Sequence, residues 1–293
     1  MKFLLCIGGG EMSHDTIVTG GKIAAAFHSD LSVLYVGAKQ SSSMTGMLDM
    51  SRMKLSEWEI ELPGVKILRY AGQVLKDMNL LKVDDSGDIL EKHSLRPDIN
   101  GAYELHALGK QGENIRLRLR EGDIIDQVIK EVDLGGYNLV FMGASKERRL
   151  IHRMIQFIDC SLFITKNLRD IDYRFLFAVD DTEMSRRALF LGSRATKFLK
   201  AEATLLSVVD KEENIEMGER CIAKGEKIFK RMNIPYTTKI AIGDPTEIII
   251  EEAGDNHIIA MGSSKSSQLS KFFKATKAVK VVQDCNCPVL IVK

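Results

Sequence analysis

Short apolar runs of strand length alternate with longer amphipathic stretches along the chain, and the alternation predicts strands separated by helices. The second half shows this most cleanly. Phe175–Val179 reads as a strand, and Thr182 as the cap of a helix with Ala188, Leu191, Ala195 and Phe198 on one face. Ala203–Val209 is the next strand. A helix over Glu212–Met232 stops before Pro235, and Tyr236–Ile242 is a third strand. Asp244-Pro245-Thr246-Glu247 opens another helix, with Asp at the N-cap, Pro at the first helical position and Glu at the third. His257–Met261 and Val289–Val292 are the last strands, with a helix near Thr276–Gln283 between them. Such an order implies α/β architecture: a parallel sheet covered on both faces. Right-handed crossovers make it doubly wound, with ligands at the carboxyl ends of the strands.

The first half repeats the second. Phe3–Ser13 aligns on Phe175–Ser185 without a gap at an offset of 172, and Leu31–Val36 falls on Ala203–Val208 at the same offset. Gly122-Asp123 lies on Gly243-Asp244 (offset 121), Phe141–Lys146 on Ala260–Lys265 (119), and Cys160–Lys166 on Cys287–Lys293 (127). The order is kept throughout, as a tandem of two related domains requires. We expect domains over 1–169 and 170–293, joined near Asn167–Tyr173. Val36 to Gly122 spans 86 residues, whereas Val208 to Gly243 spans 35, so the first domain carries an insertion of 51 residues within about 37–111. Helical patterns over Met47–Glu61 and Val65–Leu81 are split at Pro63-Gly64, and Val83–Ile89 reads as a hairpin turn. Asp84, Ser86 and Asp88 echo a calcium loop, but the glycine is misplaced and no Glu stands at the twelfth position.

Two domains suit the length of 293 residues, and the 45% hydrophobic, 28% charged composition excludes disorder and a disulfide-stapled miniprotein. With 41 Lys+Arg against 40 Asp+Glu, no global basic field draws the chain to nucleic acid or anionic lipid, which leaves room only for a local patch. No apolar run has the roughly 18–20 residues of a membrane span, and Met1–Ile7 reads as a buried first strand rather than an export signal. We therefore expect neither nucleic-acid nor membrane partners. Five cysteines, most in apolar runs, suggest reduced thiols and a cytoplasmic location. Cys285-x-Cys287 lacks a second Cys/His pair at zinc spacing, so no metal site is expected.

Gly8-Gly9-Gly10 follows a strand, but Gly8-x-Gly10-x-x-Ser13 lacks the third Gly or Ala of a dinucleotide fingerprint. The second strand also ends without an acidic residue. A Walker loop is absent, as is the S-G-G-x-D-S loop of an ATP pyrophosphatase. The six histidines are scattered without triad or metal spacing, and His257 reads as structural. Ser13 and Ser185 lack the nucleophile elbow, so catalysis beyond slow ATP hydrolysis is not expected. Met44, Met47, Met50 and Met53 read as a helix face, with a soft interaction surface as the functional alternative.

The richest stretch runs from Met261 to Val279: a strand end, a Gly-Ser-Ser-Lys loop with further serines and lysines, then a helix near Thr276. Small residues let backbone N–H groups approach an anion, and a helix N-terminus adds partial positive charge. The plainer reading is a solvated loop. Together with the Val179-Asp180 strand end, Gly243-Asp244-Pro245, and the closing Cys287–Val292 run, this stretch resembles the universal stress protein family. The resemblance covers both halves apart from the insertion and implies an adenine-nucleotide alpha-hydrolase-like fold. The family's nucleotide-binding members carry G-x-x-G, nine residues, then G-[ST]. Here Gly262 and Thr276 match, while Lys265 and Ala275 replace two glycines. A left-handed backbone at Lys265 would cost about 1–2 kcal/mol relative to Gly.

The resemblance implies that Asp180 contacts the ribose or base and that Val208 lines the adenine slot. The nucleotide-binding set so implied is Val179, Asp180, Val208, Met261, Gly262, Ser264, Lys265, Ala275, Thr276 and Lys277. Asp180 also reads as a helix-opening cap, and one residue can do both. The implied ligand is ATP or AMP, with Mg2+ as an allowed companion. In the first domain Gly8 stands in place of Asp180, and eight residues of the phosphate loop are missing. Arg148, Arg149, His152 and Arg153 sit in what remains, as a surface basic cluster or an anion site of another kind. The resemblance also implies a pseudo-dimer within the chain, with Leu162–Thr165 and Val289–Val292 near its axis, and allows a homodimer. The expected function is a stress-response protein that binds an adenine nucleotide in its second domain. The alternative is a scaffold that binds no nucleotide and uses the insertion to hold protein partners.

Overall fold

A computed structural model describes residues 1–9, 12–38, 63–98, 100–144, 148–169, 171–263 and 277–293. They form two compact units, Met1–Gly143 and Ala144–Lys293.

In the first unit the strands β1 (Lys2–Ile7), β2 (Asp30–Gly37), β3 (Glu91–Pro97), β4 (Tyr103–Leu108), β5 (Asn114–Glu121) and β6 (Leu139–Gly143) take the order β6-β1-β2-β5-β4-β3. β6, β1, β2 and β5 are parallel, with Leu5 opposite Val33 and Val33 opposite Leu117. Helix α1 (Met12–Ala26) packs on β1 and β6, and α2 (Pro63–Asp77) packs on β2 and β5. Helix α3 (Ile124–Gly135) begins at the Asp123 cap, whose side chain accepts from Ile125 N and Asp126 N. The Phe3 ring stands 5.7 Å from Phe27 and 5.9 Å from Phe141, at the centre of this core.

The insertion differs from its expected form in two respects. The helix expected over Val65–Leu81 begins at Pro63, since the first helical position needs no N–H donor. It ends at Asp77: Asn79 turns left-handed (φ 59°) and Leu80 N returns to Leu75 O at 3.0 Å, so Leu81 leaves the helix. The stretch Met47–Glu61 lies outside the described residues. Second, β3 and β4 add two antiparallel strands beyond β5. The expected turn at Val83–Ile89 is present: Asp84 Oδ1 accepts from Ser86 N and Asp88 N, both at 3.0 Å.

The second unit contains α4 (Arg148–Phe157), β7 (Ser161–Thr165), β8 (Arg174–Ala178), α5 (Glu183–Phe198), β9 (Ala203–Val209), α6 (Ile215–Met232), β10 (Tyr236–Ile242), α7 (Pro245–Ala253), β11 (His257–Gly262), α8 (Lys277–Asp284) and β12 (Val289–Val292). Its strand order is β10-β9-β8-β11-β12-β7, parallel up to β12. Strand β7 then pairs antiparallel with β12, Phe163 opposite Leu290. The helix expected from Glu212 opens with a 3-10 turn, Glu212–Asn214. It ends where Asn233 turns left-handed, before Pro235. Phe177 and Phe229 meet edge to face at 5.0 Å in the core.

The repeat holds in three dimensions. Helix α2 lies against α1, β2 and β5 as α6 lies against α5, β9 and β10. Ser13 Oγ accepts from Gly8 N at 2.9 Å, and Ser185 Oγ accepts from Asp180 N at 3.0 Å. Gly122 and Gly243 both take positive φ, 133° and 145°, immediately before their capping aspartates. The two domains are thus α/β copies of one doubly wound plan. The inserted β3–β4 hairpin has no counterpart between β9 and β10.

Candidate functional site

A cleft of about 320 Å³ opens at the carboxyl ends of β8, β9 and β11. Its apolar wall includes Val179, Leu206, Val208, Ile249 and Met261. Polar groups come from Asp180, Thr182, Ser263 and Lys277. This is where an open α/β sheet places ligands, because the chain diverges above the strand ends.

Each side is built by local chemistry. Past the end of β8, Val179 N still donates to Leu206 O at 2.8 Å, so the backbone stays in register up to Asp180. Asp180 Oδ1 accepts from Thr182 N at 2.9 Å and Thr182 Oγ1 at 2.5 Å. Thr182 Oγ1 in turn accepts from Ser185 N at 3.1 Å and caps α5. The Asp180 side chain remains exposed. Opposite, Asp244 caps α7 by accepting from Thr246 N and Glu247 N at 2.8 and 3.1 Å. The Glu247 N–H bond leads in holding the Asp244 carboxyl below its ordinary value. Pro245 and Ile249, one helical turn apart, face the cleft from α7. At the third side Gly262 lies tight against α5: a Cβ there would stand 2.5 Å from the Met184 carbonyl carbon and 2.6 Å from Ser185 N.

Six of the ten residues implied by the sequence line this cleft: Val179, Asp180, Val208, Met261, Gly262 and Lys277. Ser264, Lys265, Ala275 and Thr276 lie outside the described residues. The sequence reading missed Ala178, Thr182, Leu206, Pro245, Ile249, Ser263 and Ala278 as lining residues. Leu206 was legible, because a strand repeats its face every two residues and Val208 had been chosen.

Other candidates separate from this cleft. At the start of the second unit α4 carries Arg149, His152 and Arg153, and Arg153 stands 5.7 Å from the Phe157 ring. His257 Nδ1 bonds Ala253 O at 2.8 Å, and burial holds its pKa below the ordinary value. Cys285 and Cys287 are buried free thiols. Cys285 Sγ donates to Cys287 O at 3.3 Å, and the adjacent Cys287 thiol holds the Cys285 thiol below its ordinary value against the opposing effect of burial. Among the described residues, no group of three or more His, Cys, Asp or Glu could hold a metal ion, and no helix is long and apolar enough to cross a membrane.

Sequence reasoning also missed a buried charge cluster in the first unit. Glu131, 2% exposed, pairs with Arg118 Nε at 2.8 Å and Arg120 Nε at 2.7 Å, and accepts from Tyr137 OH at 2.7 Å. Arg118 also binds Asp98 at 2.5 Å, and Glu104. Burial and the Glu131 carboxylate push the Tyr137 phenol up. The signal was Arg116, Arg118 and Arg120 alternating with Leu117 and Leu119, a period-two pattern with cations on one face.

A doubly wound sheet with a cleft above its strand ends defines the architectural class as α/β, and comparison narrows it. The model of the Universal stress protein family matches residues 173–293. A universal stress protein from Archaeoglobus fulgidus superposes with a TM-score of 0.60 at 16% identity, covering 100% of this chain and 98% of its own. A functionally unknown protein from Pseudomonas aeruginosa gives 0.62 at 15% identity, covering 100% and 92%. A putative universal stress protein from the same species gives 0.61 at 14%, covering 100% and 93%. Comparison with curated protein sequences returns no match. The family model thus matches the second domain, and the likeness over the full length is one of fold.

Proposed function

We propose that this chain is a stress-response protein of the cytoplasm whose second domain binds an adenine nucleotide, ATP or AMP, without rapid turnover. The observation that carries this is the cleft, which gathers an apolar slot at Val208, a carboxylate at Asp180 and an ammonium at Lys277 around one opening. The apolar wall suits a purine face, Asp180 suits ribose hydroxyls, and Lys277 in the first turn of α8 suits a phosphate. Mg2+ would arrive on the phosphates, since it takes few protein ligands when a triphosphate is present. We place the repeat boundary at 169/170 and read the tandem as an internal dimer. The antiparallel pairing of β7, which ends the first copy, with β12, which ends the second, supports that reading.

Calorimetry of ATP and AMP against the protein, with and without Asp180→Ala, tests the nucleotide reading. A charge-assisted hydrogen bond contributes about 1.5–3 kcal/mol, so Asp180→Ala raises Kd by roughly 10- to 100-fold. The Asp180→Asn variant keeps the bond to Thr182 and guards against a merely local loss of structure. Absence of heat with both nucleotides rejects the reading and leaves the scaffold, which Lys265 and Ala275 in place of glycines favour. Equal affinity in the Ala variant leaves Asp180 only its capping role.

A further inference from the structure

Against the expectation of no membrane partner, which rests on the balanced charge of the whole chain, we propose that the outer face of α5 and α6 is a docking surface for an anionic lipid bilayer. The two helices lie side by side, with Leu189 of α5 closely approaching Gly225 of α6. Their inward faces are buried, with Ala188, Leu189, Gly192 and Ala195 on α5 and Cys221, Ile222, Gly225 and Phe229 on α6. Their outward faces are basic. Along α5 and just past its end stand Arg186, Arg187, Arg194, Lys197 and Lys200, all exposed. Along α6 stand Arg220, Lys224, Lys227, Lys230 and Arg231, also exposed. Against these ten cations the same segments carry four carboxylates, Glu183, Glu216, Glu219 and Glu226, for a net of +6 in a chain whose total is +1. Two of the four are engaged locally: Glu183 with Arg187 at 2.5 Å and Glu226 with Lys230 at 3.7 Å.

Aromatic rings stand among the cations. Phe190 is 61% exposed and Phe198 49% exposed. They are eight residues apart, about 12 Å along α5. A large apolar ring costs free energy in water, so a solvated helix face gains nothing from two of them. The first copy carries no such pattern. At the offset of 172, Phe190 and Phe198 fall on Val18 and Ala26, and Arg186, Arg187 and Lys197 fall on His14, Asp15 and Ala25, so that of these six positions only Arg194, on Lys22, keeps its charge. The basic aromatic face is therefore not required by the fold.

Cations surrounding exposed phenylalanines match the boundary between headgroups and acyl chains. The rings enter the apolar edge while the ammonium and guanidinium groups stay with lipid phosphates and carboxylates. Half of the cations are lysines, which protein interfaces disfavour. A nucleic-acid duplex would meet the cations but give the two rings no partner. The face lies outside the nucleotide cleft and does not depend on it.

Co-sedimentation of the full chain with phosphatidylcholine vesicles, with and without about 30% phosphatidylserine, tests the proposal. The protein is expected to sediment with the anionic vesicles and to be released by high salt. The Arg186→Glu/Arg194→Glu/Lys197→Glu variant is expected to lose at least ~100-fold in partition coefficient, since each cation near such a surface contributes about fivefold. The Phe190→Ser/Phe198→Ser variant is expected to lose roughly tenfold through its apolar part alone. All five side chains are exposed, so unchanged thermal melting is expected and checks the fold. No sedimentation with anionic vesicles overturns the proposal, as does wild-type partition in the charge-reversed chain. Full partition in the phenylalanine variant, with wild-type binding competed by duplex DNA, shows a general polyanion surface and overturns it as well.

Discussion

Gly262→Ala tests how the cleft is held together. At this position the end of β11 approaches the first turn of α5 so closely that a methyl group would lie 2.5 Å from the Met184 carbonyl carbon, 2.6 Å from Ser185 N and 2.7 Å from Met184 Cβ. Two of these three contacts are backbone, which cannot swing aside as a long side chain can. Ordinary carbon contacts begin near 3.4 Å, so α5 must retreat by roughly 0.9 Å. Overpacking of this kind costs about 1–3 kcal/mol, and in a domain of about 150 residues each kcal/mol lowers Tm by about 2–4 °C. The expected loss is therefore about 2–12 °C, measured by circular dichroism or calorimetry. Because the displaced turn carries the Thr182 cap and its bond to Asp180, the nucleotide affinity proposed above should fall in parallel. Gly8→Ala is the control: among the described residues its added methyl would find only Ser13 Oγ, at 4.0 Å, and Tm should not move. Equal melting temperatures for Gly262→Ala and wild type would show that the close approach is not a constraint.

Glu131→Ala should lower Tm by about 6 °C or more, because it strands two guanidinium groups in the interior at a cost of about 3–5 kcal/mol. A loss below 2 °C would mean that the cluster is hydrated rather than packed. The His257 pKa is lowered by burial, against the Ala253 carbonyl bond that raises it. In the native state His257 therefore resists protonation more than in the unfolded chain. Stability attributable to it is complete above the unfolded value of 6.5 and declines as pH falls through that value toward the native one. Urea titrations between about pH 7.5 and 5 should show this decline in wild type and a flatter profile in His257→Gln.

The second domain was largely legible because its signals are local. Ala203–Val209 and Tyr236–Ile242 occupy the expected residues, and Thr182, Asp244 and Pro245 stand at the helix starts that their chemistry predicts. The cleft was legible through strand ends. Its wall from α7 was not, since Ile249 faces it through the crossing of α7 over the sheet, and no local residue pattern encodes that crossing. The insertion was the hardest to read. Strand β3, Glu91–Pro97, contains three charged residues, His93 and a proline, and takes strand form only because β4 lies beside it. Tertiary pairing decides such edge segments more than their own propensity does. The Arg118–Arg120–Glu131 cluster was hidden for a similar reason, since its acid lies on a helix eleven residues beyond Arg120.

The antiparallel seam between β7 and β12 means the duplicated halves are not detachable cassettes. Both strands are wholly buried, Ser161–Thr165 against Val289–Val292, and Lys166 Nζ from the strand's far end donates to Val282 O and Gln283 O at 3.0 and 3.1 Å. A scission at 169/170 would leave the later half with a naked, fully aliphatic flank and the last turn of α8 unclasped. Such a flank recruits whatever strand it meets, so the orphaned half would have to find a twin of itself or precipitate.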